Sequence, residues 1–445
     1  MQRSKHPHHN RSPRWTWKLA VLLLPFLSII QTVSAIAQEV PVEISPAEVE
    51  PAIESGTPST LPNVPTSFPE LPEVEEGEEL PTNPLELTQP DPLLPELVVD
   101  RPLSPQEQSI LDTALDELNQ QAEAQLRAGN LVGALELWNR ELRLRRFLGP
   151  AEEVESLSRV GEVAWRENQV TEVRLITQRL QEIEQEVAVQ SPTDYALLLK
   201  IAQSYQMLRA REEAVALYDK LLVQARQTED LAQEQQTLTA LGDLHLAWFD
   251  YPNAADTYQQ LLAVSQTRGD TAAEIQALQQ LARVYKENNQ PEQAIAILQQ
   301  LVDTYQRDQQ LQQISALKQE MGDAYLALNR PEAAATSYQE AFAIARSTQQ
   351  YAYAADALQR LANLYVTLEQ LDEAIVVYQL LLDVRQQSYD TLGMMNTYDQ
   401  IGQLYRALGN NAQAATSFQR GLQLAQQLNY KVSYFQTQIQ ELSGP

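Results

Sequence analysis

The chain has 445 residues, no cysteine and a formal net charge of −27. The missing cysteines exclude disulfides, thiolate catalysis, thiolate metal sites and a lipid-modified cysteine anchor. So strong a polyanion repels phosphate backbones and anionic lipid heads, which argues against nucleic acid as a partner, and the length exceeds what one hydrophobic core fills.

The N-terminus reads as an export leader. Met1–Lys18 carries Arg3, Lys5, Arg11, Arg14 and Lys18 and no acid; Leu19–Ile30 is an apolar run; Ala35-Ile36-Ala37 is a small-residue cleavage signal. That three-part layout predicts a Sec-type signal peptide over 1–37 and delivery to a periplasm, a thylakoid lumen or the exterior. The run is shorter than the roughly 20 residues a spanning helix needs. The alternative is an uncleaved anchor, the one route by which this chain would engage a membrane.

Residues 38–103 are expected to form a disordered acidic spacer. They hold 14 of the 24 prolines and, up to Asp100, 15 acidic residues without a single Lys or Arg. Such a segment cannot bury enough apolar surface to offset its ordering entropy. It serves as a tether, or as bait for basic partners, with Leu93-Leu94 and Leu97-Val98-Val99 as an apolar patch able to dock on the first helical unit. Order begins at Ser104-Pro105-Gln106-Glu107, a capping box with proline at the first helical position.

From there the chain repeats. Ala214, Ala254, Ala294, Ala334, Ala374 and Ala414 are spaced by forty residues, in phase with Ala202, Gly242, Ala282, Gly322, Ala362 and Gly402. Three residues after each member of the second set stands a ring: Tyr205, His245, Tyr285, Tyr325, Tyr365 or Tyr405. Four after each alanine of the first set comes Tyr218, Tyr258, Leu298, Tyr338, Tyr378 or Phe418. In Leu358–Asp383, apolar residues recur at three- and four-residue steps on either side of the polar break Glu369–Asp372, predicting two helices. They cross where Ala362 meets Ala374, with Tyr365 and Tyr378 filling the space beside the crossing.

This pattern resembles the tetratricopeptide repeat family, in a longer unit of forty residues. The resemblance runs from about Ala114 to Gln427 and is carried by the last six units. Leu118–Glu141 and Leu157–Leu180 are degenerate: the latter has Val173 and Thr177 where the family places alanine and an aromatic ring. The resemblance implies an all-α fold, a right-handed superhelical solenoid of about eight antiparallel helix pairs over 104–429, with a capping helix and tail over 430–445. Helices of about 15 residues would be about 22 Å long.

It also implies a concave groove lined by first helices. The positions expected there are Glu162, Trp165 and Arg166; Leu199 and Gln203; Thr239, Asp243 and Leu246; Gln279, Arg283 and Lys286; Gln319, Asp323 and Leu326; Gln359 and Asn363; and Asp399, Gln403 and Arg406. Amides that both donate and accept suit the backbone of a bound peptide, so the expected partner is a protein or peptide. The same residues are also what a plain solvated helix face would carry. Arg140, Arg143, Arg145 and Arg146 crowd the first unit's second helix, where they would receive the acidic spacer or an acidic partner, or pair along the helix with Glu136 and Glu141.

No catalytic constellation, cofactor site or metal site is read from the sequence. His245, the only histidine after the leader, substitutes for a core tyrosine. Asp243 and Asp323 lie two units apart, about 20 Å at ordinary helix spacing, too far for paired-carboxylate hydrolysis. The expected function is a non-catalytic exported scaffold. An accessory subunit of a membrane-associated complex is the alternative, and a hydrolase of envelope polymers a remote one.

Overall fold

The computed structural model describes residues 83–87, 89–95, 101–190 and 193–442. The leader over 1–37 and most of the spacer lie outside the described residues. The described part is helical throughout, apart from turns, and contains no strand. Its first two pairs are α1 (Pro105–Arg127) with α2 (Leu131–Arg145) and α3 (Pro150–Arg166) with α4 (Val170–Ala188). Next come α5 (Tyr195–Met207) with α6 (Arg211–Gln227), α7 (Leu231–Ala247) with α8 (Tyr251–Arg268), and α9 (Thr271–Glu287) with α10 (Pro291–Arg307). The last three pairs are α11 (Ile314–Ala327) with α12 (Pro331–Ser347), α13 (Tyr351–Thr367) with α14 (Leu371–Gln387), and α15 (Thr391–Ala407) with α16 (Asn411–Leu428). The closing helix is α17 (Val432–Leu442). Most helices run seventeen residues, two longer than the spacing implied.

The start of α1 is the expected capping box: the Glu107 N–H donates to Ser104 Oγ, and Glu107 Oε2 accepts from the Ser104 N–H at 2.8 Å. Asp194, Asp230, Asp270 and Asp390 cap α5, α7, α9 and α15 in simpler form, each carboxylate accepting a first-turn N–H. Pro291 and Pro331 open α10 and α12, where the missing N–H has no acceptor to lose.

One turn geometry joins nearly all of these helices. A residue with positive φ stands at 209, 229, 249, 269, 289, 309, 329, 349, 369, 389, 409 and 429, every twenty residues. The next N–H reaches back to a carbonyl five residues earlier, as from Asp250 to His245 at 2.9 Å and from Gln290 to Tyr285 at 2.8 Å. This is the left-handed helix stop that satisfies the last orphan carbonyls. The forty-residue unit is therefore two half-units of equal length. Only 269 and 409 carry glycine; Arg209, Phe249 and Tyr389 are among the side chains held at φ near 60°, where an L-residue is strained by its own Cβ. Tyr389 is 92% exposed, so its ring contributes little packing to offset that strain. Tyr389→Gly should stabilise the chain by about 0.5–1 kcal/mol, read as a higher urea midpoint at unchanged m-value; an unchanged or lower midpoint would contradict it.

Both repeating sets of small residues are buried. All six alanines of the second-helix set are at most 3% exposed. The rings opposite them sit on the first-helix backbone. A Cβ added to Gly242, Gly322 or Gly402 would lie 2.7, 2.4 or 2.5 Å from a ring carbon of Tyr258, Tyr338 or Phe418. Glycine is used there because the ring occupies the place of its side chain. The degenerate second pair solves the crossing differently. The Gly161 slot is filled by Leu208, from the turn after α5, together with Ile176 of α4, so an aliphatic contribution from the next pair replaces the absent ring. In the first pair Trp138 fills the space, its indole N–H donating to Asn119 at 2.9 Å.

The end of the spacer is part of this packing. Leu85 is 2% exposed, and Leu93 and Leu94 pack against Leu111, Leu115, Leu118 and Leu144 of the first pair. Arg140 grips Asp91 through two hydrogen bonds of 2.8 Å, while Arg143 donates to the Pro84 carbonyl and Arg146 to that of Leu85 at 2.7 Å. Three of the four clustered arginines thus receive the spacer in cis. Arg145 alone makes the along-helix pair with Glu141, at 3.2 Å.

Candidate protein-binding surface

The first helices α5, α7 and α9 place small or apolar residues on their packed sides and amides on the side that stays open. Gln203 of α5 and Gln236, Thr239 and Asp243 of α7 border one open depression of about 450 Å³, with Ala232, Gln235 and Ala240 completing it. Thr239 is held by donating to the Gln235 carbonyl at 2.9 Å, and Gln235 is oriented by Arg268 at 2.6 Å. Gln279, Arg283 and Lys286 of α9 are exposed, Arg283 leaning on Glu287 at 2.8 Å. Upstream on α3, Glu162, Trp165 and Arg166 are exposed as well, with Arg166 beside Glu167 at 3.3 Å.

Several expected lining residues have other tasks. Leu199 and Leu246 are buried at 5% and 9% exposure, and Gln319 at 4%, its amide donating to the Tyr353 carbonyl at 3.0 Å. Neighbouring first helices pack flank to flank, so these positions are covered rather than presented as pockets. Of the expected leucines Leu326 stays open, at 40% exposure. At the C-terminal end α17 takes the surface: Tyr434 donates to Asp399 at 2.9 Å, Gln403 donates to the Gln438 side chain at 3.0 Å, and Arg406 reaches Gln438 and Glu441 at 2.9 and 3.3 Å. Asp399, Gln403 and Arg406 therefore serve the capping helix.

Asp243, Asp323 and Asn363 share a role that sequence reasoning missed. Each accepts the hydroxyl of the ring fifteen residues later: Tyr258 at 2.6 Å, Tyr338 at 2.6 Å and Tyr378 at 2.9 Å. Where that position carries no hydroxyl, as at Leu298 and Phe418, the corresponding first-helix residue is Arg283 or Gln403. The signal was present in the chain as a within-repeat correlation: a carboxylate or asparagine appears when a tyrosine is there to use it, although Tyr218 breaks the pattern by reaching Gln206 at 3.4 Å. Burial, and then the acidic acceptor, push the Tyr258 and Tyr338 hydroxyls far above the ordinary tyrosine range, so both stay donors. Asp323 also holds Arg360 at 2.6 and 2.8 Å, and Gln359 is shared among Asn363, Tyr378 and Arg385. The two aspartates are thereby committed to structural bonds, and among the described residues no group of three or more His, Asp or Glu side chains could hold a metal ion.

His245 is 7% exposed, in the slot its sibling units fill with tyrosine. Burial pushes its imidazole below the ordinary 6.5; the Asp250 carboxylate, 3.5 Å from Nδ1, and Asp219 pull upward, while Arg211 pushes further down. The unfolded chain takes up this proton near pH 6.5, whereas the folded chain refuses it until a lower pH. Stability is therefore fully present above 6.5 and declines as pH falls from there toward the lowered value. The urea midpoint should drop between pH 7 and the onset of carboxylate titration in the parent and stay flatter in His245→Tyr; equal slopes would remove this role.

Helix pairs joined by one repeated stop, small residues under rings and an open first-helix side define a helical-repeat solenoid. The chain is a tetratricopeptide-type repeat protein, a scaffold suited to protein–protein interaction. Tetratricopeptide repeat models match residues 196–228 and 396–428, and the soluble NSF attachment protein model matches residues 249–391. A search of the curated proteins finds no significant match. Similar solved structures include BtubC (BKLC) from P. vanneervenii, at 20% identity and a TM-score of 0.35, covering 49% of this chain and 92% of that one. Another is the STAND signal-transduction ATPase with a tetratricopeptide repeat sensor from Pyrococcus horikoshii, at 14% identity, TM-score 0.39 and coverage of 76% and 52%. A third is the kinesin light chain-like repeat protein of Podosopora anserina, at 18% identity, TM-score 0.34 and coverage of 43% and 97%. Among the described residues no helix is long and apolar enough to cross a membrane.

Proposed function

We propose that this chain is an exported, non-catalytic scaffold that holds an extended or helical peptide segment of a partner protein along α5, α7 and α9. The observation that carries the reading is the open depression bordered by Gln203, Gln236, Thr239 and Asp243; Gln279, Arg283 and Lys286 are exposed on the next first helix, α9. The exposed amides of Gln203 and Gln236 can pair with either polarity of a peptide backbone. The more C-terminal first helices are less available, because Asp323 is bridged to Arg360 and α17 occupies α15. Export rests on the basic, apolar and Ala-x-Ala order of residues 1–37.

A photo-crosslinking amino acid at Gln203 or Gln236, compared with one at Val223 on α6, tests the binding surface in the native host. Val223 is 53% exposed on a second helix and provides the control. Adducts that form from the first two sites, and weaken with Arg283→Glu plus Lys286→Glu, support the reading. Adducts of equal yield from Val223 would remove it. N-terminal sequencing of the same material should start at Gln38; a chain that starts at Met1 would remove signal cleavage.

A further inference from the structure

The segment docked on α2 contains the same short motif twice. Asn83-Pro84-Leu85 and Asp91-Pro92-Leu93 lie eight residues apart. In each, the Asx side-chain oxygen accepts the leucine N–H, at 2.9 and 3.0 Å, and the Asx carbonyl accepts the N–H three residues on, at 3.0 and 2.9 Å. Both turns close on themselves, with proline fixing the second position. The segment reaches the array through side-chain anchors and through carbonyls that arginines read. Leu85 joins the large core cluster that runs from the first pair into α7, and Leu93 and Leu94 enter the smaller cluster of α1 and α2. Arg140 takes the Asp91 carboxylate as a fork, and Arg143 of α2 and Arg146, just past its end, take the Pro84 and Leu85 carbonyls.

We infer that this arginine row, with its adjoining leucine pockets, is a receptor site for tandem Asx-Pro-Leu turns, filled in cis by the turns at 83–86 and 91–94 and able to take the same peptide in trans once its own copy is displaced. The site is separate from the first-helix surface of the proposed function. The contacts are those of a peptide ligand: three leucine anchors, one bidentate ion pair, two carbonyls read by guanidinium groups, and a backbone already folded into its bound turns, which lowers the ordering cost. Leu94 is only ten residues from Ser104, so the tether holds the turns at an effective concentration on the order of millimolar and the cis form wins in the free protein.

The test uses the full chain and a fluorescent synthetic peptide of residues 83–95. In an opened variant with Leu85→Ser, Asp91→Asn and Leu93→Ser, the peptide should bind saturably by anisotropy, and at least tenfold more tightly than to the parent, whose site is filled. Adding Arg140→Glu and Arg143→Glu to the opened variant should weaken binding at least tenfold, with unchanged helical circular dichroism. An opened chain that is helical yet does not bind, or binding indifferent to the arginines, overturns the proposal. Independently of any variant's folding, a Glu-specific protease should cleave after Glu86 at least tenfold more slowly in the parent chain than in the free peptide; equal rates would show that no docked turn exists.

Discussion

Replacing Tyr258 with alanine should cost about 3–5 kcal/mol, the range for removing a fully buried aromatic side chain. Its ring is 1% exposed, lies over the α7 backbone at Gly242 and donates its hydroxyl to Asp243 at 2.6 Å. Tyr258→Phe keeps the ring and should cost only about 1 kcal/mol, because Asp243 is exposed and water replaces the donor. Gly242→Ala in the parent places a Cβ 2.7 Å from the ring and should cost about 1–2 kcal/mol by overpacking. In the Tyr258→Ala background that clash is gone, so the second substitution should become neutral or favourable. Urea denaturation of the four chains, with amide exchange across α7 and α8, checks both the magnitudes and the coupling. Simple additivity would mean that ring and glycine do not share the space described.

Arg145→Met should destabilise the first pair by about 3 kcal/mol, because it strips a buried carboxylate of one of its partners. Arg145 is 5% exposed and reaches Asp112 at 2.6 Å, Asp116 at 2.5 Å and Glu141 at 3.2 Å. Glu141 is fully buried and keeps only Arg159, at 2.6 Å, once Arg145 is gone. Asp112 and Asp116 are half exposed and rehydrate at little cost. Replacing both members, Glu141→Leu with Arg145→Met, should restore most of the loss, since a packed apolar pair of similar volume often matches a buried ion pair. A single substitution as mild as the double one would show that Glu141 does not depend on Arg145.

The repeat was readable because it is written in residue size. Alanine and glycine every forty residues, nearly all paired with a ring, fix where two helices cross, and the structure puts those residues in the core. The half-period of twenty was hidden. Its stop positions carry Arg, Glu, Phe, Asn, Gln and Tyr in place of the glycine that advertises a left-handed residue, because hydrogen bonds across each turn hold the conformation whatever the side chain. The open surface was only partly readable. Helical spacing places Gln203, Asp243 and Gln279 on one side, but it cannot tell whether the next pair covers a flank, as at Leu199 and Gln319, or whether α17 claims it, as at Gln403. The docked spacer was foreshadowed by Leu93-Leu94 and the arginine row, yet composition pointed to disorder, since two turns held by side-chain contacts leave no periodic trace.

Because one joint recurs every twenty residues, the chain behaves as a set of interchangeable bricks. Cutting at two equivalent stops forty residues apart and splicing the ends would recreate the joint that was removed, with a stop residue followed by a helix start. Whole hairpins can thus be gained or lost without redesigning their neighbours, while an insertion of any other length would throw the small residues out of step with the rings that cover them.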